Sequence, residues 1–256
     1  MIRGTALTDQ LMQEIAAAIS NGGLINEDGR LPSETELSQN YGVSRATVRD
    51  VLARLESAGV IVRRQGIGTF ISEPLRNQPG MIWGWLDQAP AFVDLISQSG
   101  YDAECTLLST NTIPAGDLGV HLNIHSDEKV VTIEKIFSAD DTPIIYSWTT
   151  LAESLIERCN ETSPLTPEDY SQSIYQLLQN HCQHKVNYQT SEIHAIQADT
   201  ILAGHLGCET GAPLLHVAEI GYAEPGHPLF YAIHYFRGDR VSFRQIRIPT
   251  FTVEPI

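Results

Sequence analysis

The chain has 256 residues, a formal net charge of -15, and ordinary proportions of hydrophobic (42%) and charged (18%) residues. Its length exceeds one typical domain of about 100 to 200 residues and leaves room for a small domain and a larger one. No run approaches the roughly 18 to 20 apolar residues of a membrane span, and the N-terminus lacks a signal peptide's charged and apolar regions, so a soluble cytoplasmic protein is expected.

From Leu31 the elements follow one another closely. Leu31-Pro32-Ser33-Glu34 reads as a helix start, with Pro32 fixing the approach of the chain and Ser33 placed to cap. Tyr41-Gly42-Val43 breaks that helix in a tight turn. A second helix opens at Ser44 and stops at Gly59, with Val48, Val51, Leu52 and Leu55 spaced to bury one face. Val60 to Arg64, a Gln65-Gly66-Ile67-Gly68 turn, and Thr69-Phe70-Ile71 predict a strand, a hairpin and a strand.

This order predicts a winged helix-turn-helix. The buried stripe leaves Ser44, Arg45, Thr47 and Arg49 at the free N-terminal turns of the second helix, the end that a recognition helix pushes into the major groove. Arginine reaches a guanine edge or a phosphate by two hydrogen bonds, and hydroxyls suit phosphate oxygens. Gly66 and Gly68 leave the wing tip without a side chain to clash with the minor groove or backbone. A net charge of -15 should repel a polyanion, but the charge is unevenly spread. Residues 1–75 hold seven Lys or Arg against nine Asp or Glu, and residues 44–64 hold five arginines against only Asp50 and Glu56. The acidic remainder discourages nonspecific binding.

Ser72 to Gly80 is polar and rich in turn formers, which marks a linker over 73–90 between a first domain of residues 1–72 and a second of residues 91–256. Trp83 and Trp85 either pack that linker against the second domain or cover a cleft in it. Beyond it, strand-like runs at 129–137, 144–150, 214–222 and 229–237 alternate with helix-like stretches at 92–100, 173–181 and 198–206. Short turns at Ser138 to Asp141 and Glu224 to His227 predict an antiparallel sheet with a few helices, an α+β domain.

Residues 8–71 resemble the DNA-binding domain of the GntR family of bacterial transcription regulators. The carrying motifs are L-P-S-E-x-E-L at Leu31 to Leu37, G-V-S-R-x-T-V-R at Gly42 to Arg49, and G-x-G-T-F at Gly66 to Phe70. The resemblance implies DNA contacts from Ser33, Ser44, Arg45, Thr47, Arg49, Gln65 and Gly66, with Arg64 beside them on the wing. Thr35 stands where the family often has arginine, which implies an altered operator preference. The second half resembles the UTRA effector-binding domain of the HutC-type branch, through Asp140 to Ile144, Ser173-Ile174-Tyr175, Leu206 to Leu215, and Phe236 to Arg240 with Phe243. That implies a chorismate-lyase-like fold, a cleft between sheet and helices, dimerisation partly through the sheet, a pseudo-palindromic operator and no catalysis.

The expected effector site departs from relatives that bind sugar phosphates. Where they carry an R-L-R pair suited to phosphate, this chain reads Lys135-Ile136-Phe137. Ser147 and Phe230 stand in place of two acids, and Phe236 replaces a tyrosine, while Ser173 and Tyr175 remain. With His234 on the strand leading to Phe236, these residues predict a flatter, less polar effector with one anionic or carbonyl group. The other reading makes Phe137, Phe230 and Phe236 core residues in a slipped register, since a slip of one reverses a strand's faces.

Cys105, Cys159, Cys182 and Cys208 show no paired spacing and are expected as reduced thiols. His181, His184, His121 and His125 have spacings that a metal can use, but no four ligands converge, and neither metal nor cofactor is expected. The function expected is an effector-responsive regulator, with repression the commoner mode. The alternative, a chorismate-lyase-type enzyme fused to a DNA reader, finds no catalytic constellation in the sequence.

Overall fold

The computed structural model describes residues 8, 11–12, 14–16, 18–19, 23–26, 28–57, 59–72, 81–86, 89–160 and 165–245. They form two compact units, one built around residues 8–72 and the other around residues 89–242.

In the first unit, helical residues between 8 and 19 bury Leu11, Met12, Ile15 and Ile19. Then come α1 (Glu34–Tyr41), α2 (Arg45–Ser57), β1 (Ile61–Arg64) and β2 (Gly68–Ile71). Ser33 caps α1 by accepting from the Glu36 N–H, and the Glu36 carboxylate accepts from the Ser33 N–H at 2.7 Å, so two otherwise orphaned donors are satisfied. Gly42 ends α1 in the left-handed region (φ 63°), a conformation that glycine adopts without a Cβ penalty. On α2, Val48, Val51, Leu52 and Leu55 are buried at the predicted spacing and join Leu31, Leu37 and Ile61 in one core. Each such side chain contributes roughly 1.5 to 3 kcal/mol by leaving water. The β1–β2 hairpin pairs Ile61 with Ile71 and Arg64 with Gly68.

The second unit is built on a six-stranded antiparallel sheet in the order β4-β5-β6-β9-β8-β7. Its strands are β4 (Ala103–Pro114), β5 (Lys129–Ala139), β6 (Thr142–Ala152), β7 (Tyr188–Gln197), β8 (Pro213–Glu224) and β9 (His227–Arg237). Helices α3 (Phe92–Gln98), α4 (Gly119–Leu122), α5 (Glu153–Asn160), α6 (Pro167–Ser171), α7 (Ile174–Asn180) and α8 (Thr200–Leu206) lie between them. The β5–β6 turn places both Asp140 and Asp141 at positive φ (45° and 64°), the geometry of a type I′ hairpin that aspartate tolerates. A core on this sheet gathers Ile133, Leu151, Leu155, Leu177, Leu178 and Phe230.

Two sequence expectations change. The stretch read as linker contains a strand, β3 (Ile82–Trp85), whose Ile82 is buried and donates its N–H to the Arg240 carbonyl just before β10 (Val241–Arg244). Residues 73–80 and 87–88 of that stretch lie outside the described residues. The expectation of four reduced thiols is also corrected, because Cys159 and Cys182 form a disulfide across 23 residues of sequence. Leu155 and Ile156 of α5 and Leu177 and Leu178 of α7 share one core, and that packing brings the two cysteines together where linear spacing gave no sign of it. Cys105 and Cys208 are free and half-buried.

Candidate functional site

The polar end of α2 is built by its own cap. Ser44 Oγ accepts from the Thr47 N–H at 3.1 Å and lies 2.8 Å from the Thr47 hydroxyl, so both side chains are oriented before anything binds. Arg45 is exposed beside them. Arg49 reaches back to Glu34 on α1, Nη2 to Oε2 2.9 Å, and that hydrogen bond holds the Glu34 carboxyl below its ordinary range. The arginine side chain is still 61% exposed. Arg63 donates to the Arg49 carbonyl and pairs with Glu56. Ser33 is committed to its cap.

On the wing, the Arg64 guanidinium lies 4.9 Å from the Phe70 ring centroid, a cation–π contact that holds it beside the turn. Gln65 and Gly66 are exposed at the tip, with Gly66 at φ 73°. Sequence reading did not single out Arg30, whose exposed side chain lies over Gly68. A Cβ at Gly68 would stand 2.7 Å from Arg30 Nε and would require the exposed arginine to shift. No motif spacing signals it, because the bridge between Arg30 and Phe70 is a tertiary pairing.

The second unit contains a cavity of about 190 Å³ between one face of the sheet, the start of α3 and the α6–α7 turn. Of the residues expected around an effector, Lys135, Phe137, Ser147, Ser173, Tyr175, Phe230 and His234 all line it. The register explains the convergence: Lys135 lies opposite Ser147, and Ser147 opposite His234, so side chains from β5, β6 and β9 share one face. Phe236 is the exception. It is buried behind the wall, its ring edge-on to Phe92 at 5.5 Å, and Phe92 in turn meets Phe137 and His234.

Lys135 is 7% exposed. Its Nζ donates to the Gln172 carbonyl at 2.5 Å, and burial depresses its pKa to about 8, with Cys105 the only charge partner acting on it among the described residues. Tyr175 donates to Gln189 Oε1 at 2.8 Å, and burial raises its hydroxyl well above the usual range, so it stays a neutral donor. His234 Nδ1 lies 2.9 Å from Ser147 Oγ, and its Nε2 lies 3.5 Å from Glu219 Oε2. Burial pushes the Glu219 carboxyl up, but hydrogen bonding and charge from His234, with Ser191 and Gln189, outweigh it and hold the pKa below its ordinary value.

Sequence reading missed Glu219, Phe92, Gln172 and Thr149, which line the same cavity. Glu219 sits two residues from Val217, the partner of His234, and therefore on the same face. That alternation would have identified it once the β8–β9 register was known. Trp83 does not line the cavity; it is half-buried and its backbone N–H donates to Ser99 Oγ, while the Trp85 side chain lies outside the described residues. Among the histidines with metal-like spacing, His181 pairs with Asp169 at 3.1 Å and His121 stacks on Tyr231. Among the described residues no helix is long and apolar enough to cross a membrane.

The chain is similar to known proteins over nearly its whole length. The UTRA domain family matches residues 98–242, and the bacterial regulatory proteins of the gntR family match residues 7–71. The HTH-type transcriptional repressor NagR of Bacillus subtilis (strain 168) is 27% identical over 235 residues, 91% of each chain. A probable fructoselysine utilization operon transcriptional repressor of Shigella flexneri is 26% identical, over 91% of this chain and 89% of that one. Among solved structures, PhnF from Mycobacterium smegmatis superimposes with a TM-score of 0.58 at 19% identity, over 93% of this chain and 98% of that one, a likeness of fold. The families and relatives are regulators, which leaves the chorismate-lyase-type enzyme without support. A capped, arginine-bearing helix with its wing, and a sheet-backed cavity with matches to both domain families, make this chain a member of the GntR-type transcription regulators that carry a UTRA effector-binding domain.

Proposed function

We propose that the protein is a cytoplasmic homodimeric repressor of the HutC-type branch, released from a pseudo-palindromic operator when a small metabolite enters the second-unit cavity. Residues 1–72 read DNA, 73–90 connect, and 91–256 bind effector and dimerise. Ser33, Ser44, Arg45, Thr47, Arg49, Arg64, Gln65 and Gly66 contact the duplex. Lys135, Phe137, Ser147, Ser173, Tyr175, Phe230 and His234 contact the effector, with Phe236 supporting them from behind the wall. Release follows from differential affinity of the effector for two arrangements of the dimer.

The reading rests on Lys135. A buried ammonium with one carbonyl partner and no carboxylate partner among the described residues is an uncompensated charge, and an anionic group of a ligand would satisfy it. Its neighbours Phe137 and Phe230 favour a flat, less polar ligand over a phosphosugar, which calls for paired guanidinium groups. Differential scanning fluorimetry with phosphosugars and aromatic acids tests this. A rise in Tm with aromatic acids is expected, and a large rise with glucosamine phosphate alone overturns it.

A further inference from the structure

The cavity floor carries a second, opposite pole that the anionic contact at Lys135 does not use. The cross-strand register sets Lys135, Ser147 and His234 side by side on β5, β6 and β9, and Glu219 follows on β8 from the same face. Ser191 on β7, directly opposite Glu219, donates to Glu219 Oε1 at 2.9 Å. A polar row therefore crosses five adjacent strands, with an ammonium towards one end and a carboxylate towards the other. Val217 is the residue opposite His234, so Glu219 stands two residues further along β8, and with strands about 4.8 Å apart and about 3.4 Å of rise per residue the two poles are roughly 16 Å apart at their Cα atoms.

Glu219 is kept ionised by His234, Ser191 and Gln189, and it still lines the cavity. Its side chain is 15% exposed, and the nearest cationic candidate, His234 Nε2, is 3.5 Å away, at the outer limit of a hydrogen bond. A carboxylate offers about four lone-pair sites; Ser191 fills one at 2.9 Å and Gln189 and His234 approach others, and the group faces the cavity. Asp94, exposed on α3, adds a second negative charge to the cavity lining, while Lys135 is the only lysine or arginine among the lining residues. A dianion meets one cation and two carboxylates there, whereas a dipolar ligand meets a complementary group at each end.

We infer that the effector is dipolar, an amine-bearing carboxylic acid with a flat or apolar body, its carboxylate set against Lys135 and its ammonium against Glu219. This rests on the cavity being the effector site and adds the second charged group to it. Phe137 and Phe230 flank the body, and Ser147 and His234 lie beneath it.

The test uses the full-length protein and three rings of similar size, 4-(aminomethyl)benzoate, 4-methylbenzoate and benzylamine, with Kd measured by isothermal titration calorimetry. 4-(Aminomethyl)benzoate is expected to bind at least tenfold more tightly than 4-methylbenzoate. Glu219→Gln should erase that tenfold preference while leaving 4-methylbenzoate binding unchanged, and Lys135→Met should weaken both carboxylates. Glu219→Asp, which keeps the charge, should retain part of the preference and so separates electrostatics from misfolding. Equal affinity for the two carboxylates, or a preference that survives Glu219→Gln, overturns the dipolar ligand while leaving the cavity as the effector site. If neither carboxylate binds in a Lys135-dependent way, both readings are overturned.

Discussion

The guanidinium of Arg49 on α2 is held by the carboxylate of Glu34 on α1, with Nη2 and Oε2 2.9 Å apart. The pair fixes the arginine at the end of the helix that faces the proposed duplex, yet leaves it largely exposed. Exposed pairs contribute little to stability, so Arg49→Ala and Glu34→Gln should each leave Tm nearly unchanged. On nonspecific duplex DNA, followed by fluorescence anisotropy across a salt series, Arg49→Ala should flatten the slope of log K against log salt by about 1. Glu34→Gln should keep the slope, and a wild-type slope in Arg49→Ala removes Arg49 from the contact set.

Lys135 carries a penalty that pH can reveal. In the unfolded chain a lysine titrates near 10.4, while burial places this one at about 8 in the fold. Between those values the unfolded chain holds the extra proton, so stability rises with pH across that window and the penalty is complete below about pH 8. Lys135→Met is therefore expected to stabilise the ligand-free protein by about 1 to 3 kcal/mol at pH 7. That gain should shrink towards zero by pH 10.5 in urea titrations. For the same reason, affinity for a carboxylate probe should fall as pH rises above about 8.

Gly221 has no room for a side chain. A Cβ there would stand 2.1 Å from the Phe230 ring, which lies directly over the glycine from the neighbouring strand. Gly221→Ala must push the ring off the sheet, and overpacking of this kind typically costs about 1 to 3 kcal/mol. Chemical denaturation should show that loss, and Phe230→Leu in the same chain should recover part of it through a coupled double-mutant cycle. Additive effects would mean that the ring has another place to go.

The Cys159–Cys182 disulfide closes a loop between positions 23 apart. A cross-link of that span restricts the unfolded chain and contributes about 3 kcal/mol. Reduction with a phosphine, or Cys159→Ser with Cys182→Ser, should lower Tm by several degrees. Alkylation and mass spectrometry of the unreduced, unfolded protein should find only Cys105 and Cys208 labelled.

Local chemistry made the first unit readable. Ser33, Gly42, Ser44 and Gly59 act through hydrogen bonds and backbone conformations that lie within a few residues of each, so their roles are visible in one dimension. The central strands of the second unit were equally plain, because β5, β6, β8 and β9 carry apolar runs between turn formers. The edge strands β4 and β7 were not, since much of each is exposed on both faces and their sequences, Ala103 to Pro114 and Tyr188 to Gln197, carry no sustained apolar alternation. The cavity residues expected from motif position lie together, but Glu219, Arg30 and the disulfide depend on cross-strand register or helix packing. Those relations join residues far apart in sequence and leave no periodic trace.

The strand order β4-β5-β6-β9-β8-β7 has a mechanical consequence. It divides the sheet into an N-terminal meander, β4 to β6, and a C-terminal one, β7 to β9, whose described strands pair with one another along β6 and β9. That seam runs from Ile145 opposite Phe236 to Thr150 opposite Tyr231, a shorter register than those of β5 with β6 or β8 with β9. Lys135 and Ser147 stand on one side of it, His234 and Glu219 on the other. A molecule gripping both ends of the row would act as a clasp over the sheet's weakest stitching, so that occupancy sets how freely the two meanders flex against each other.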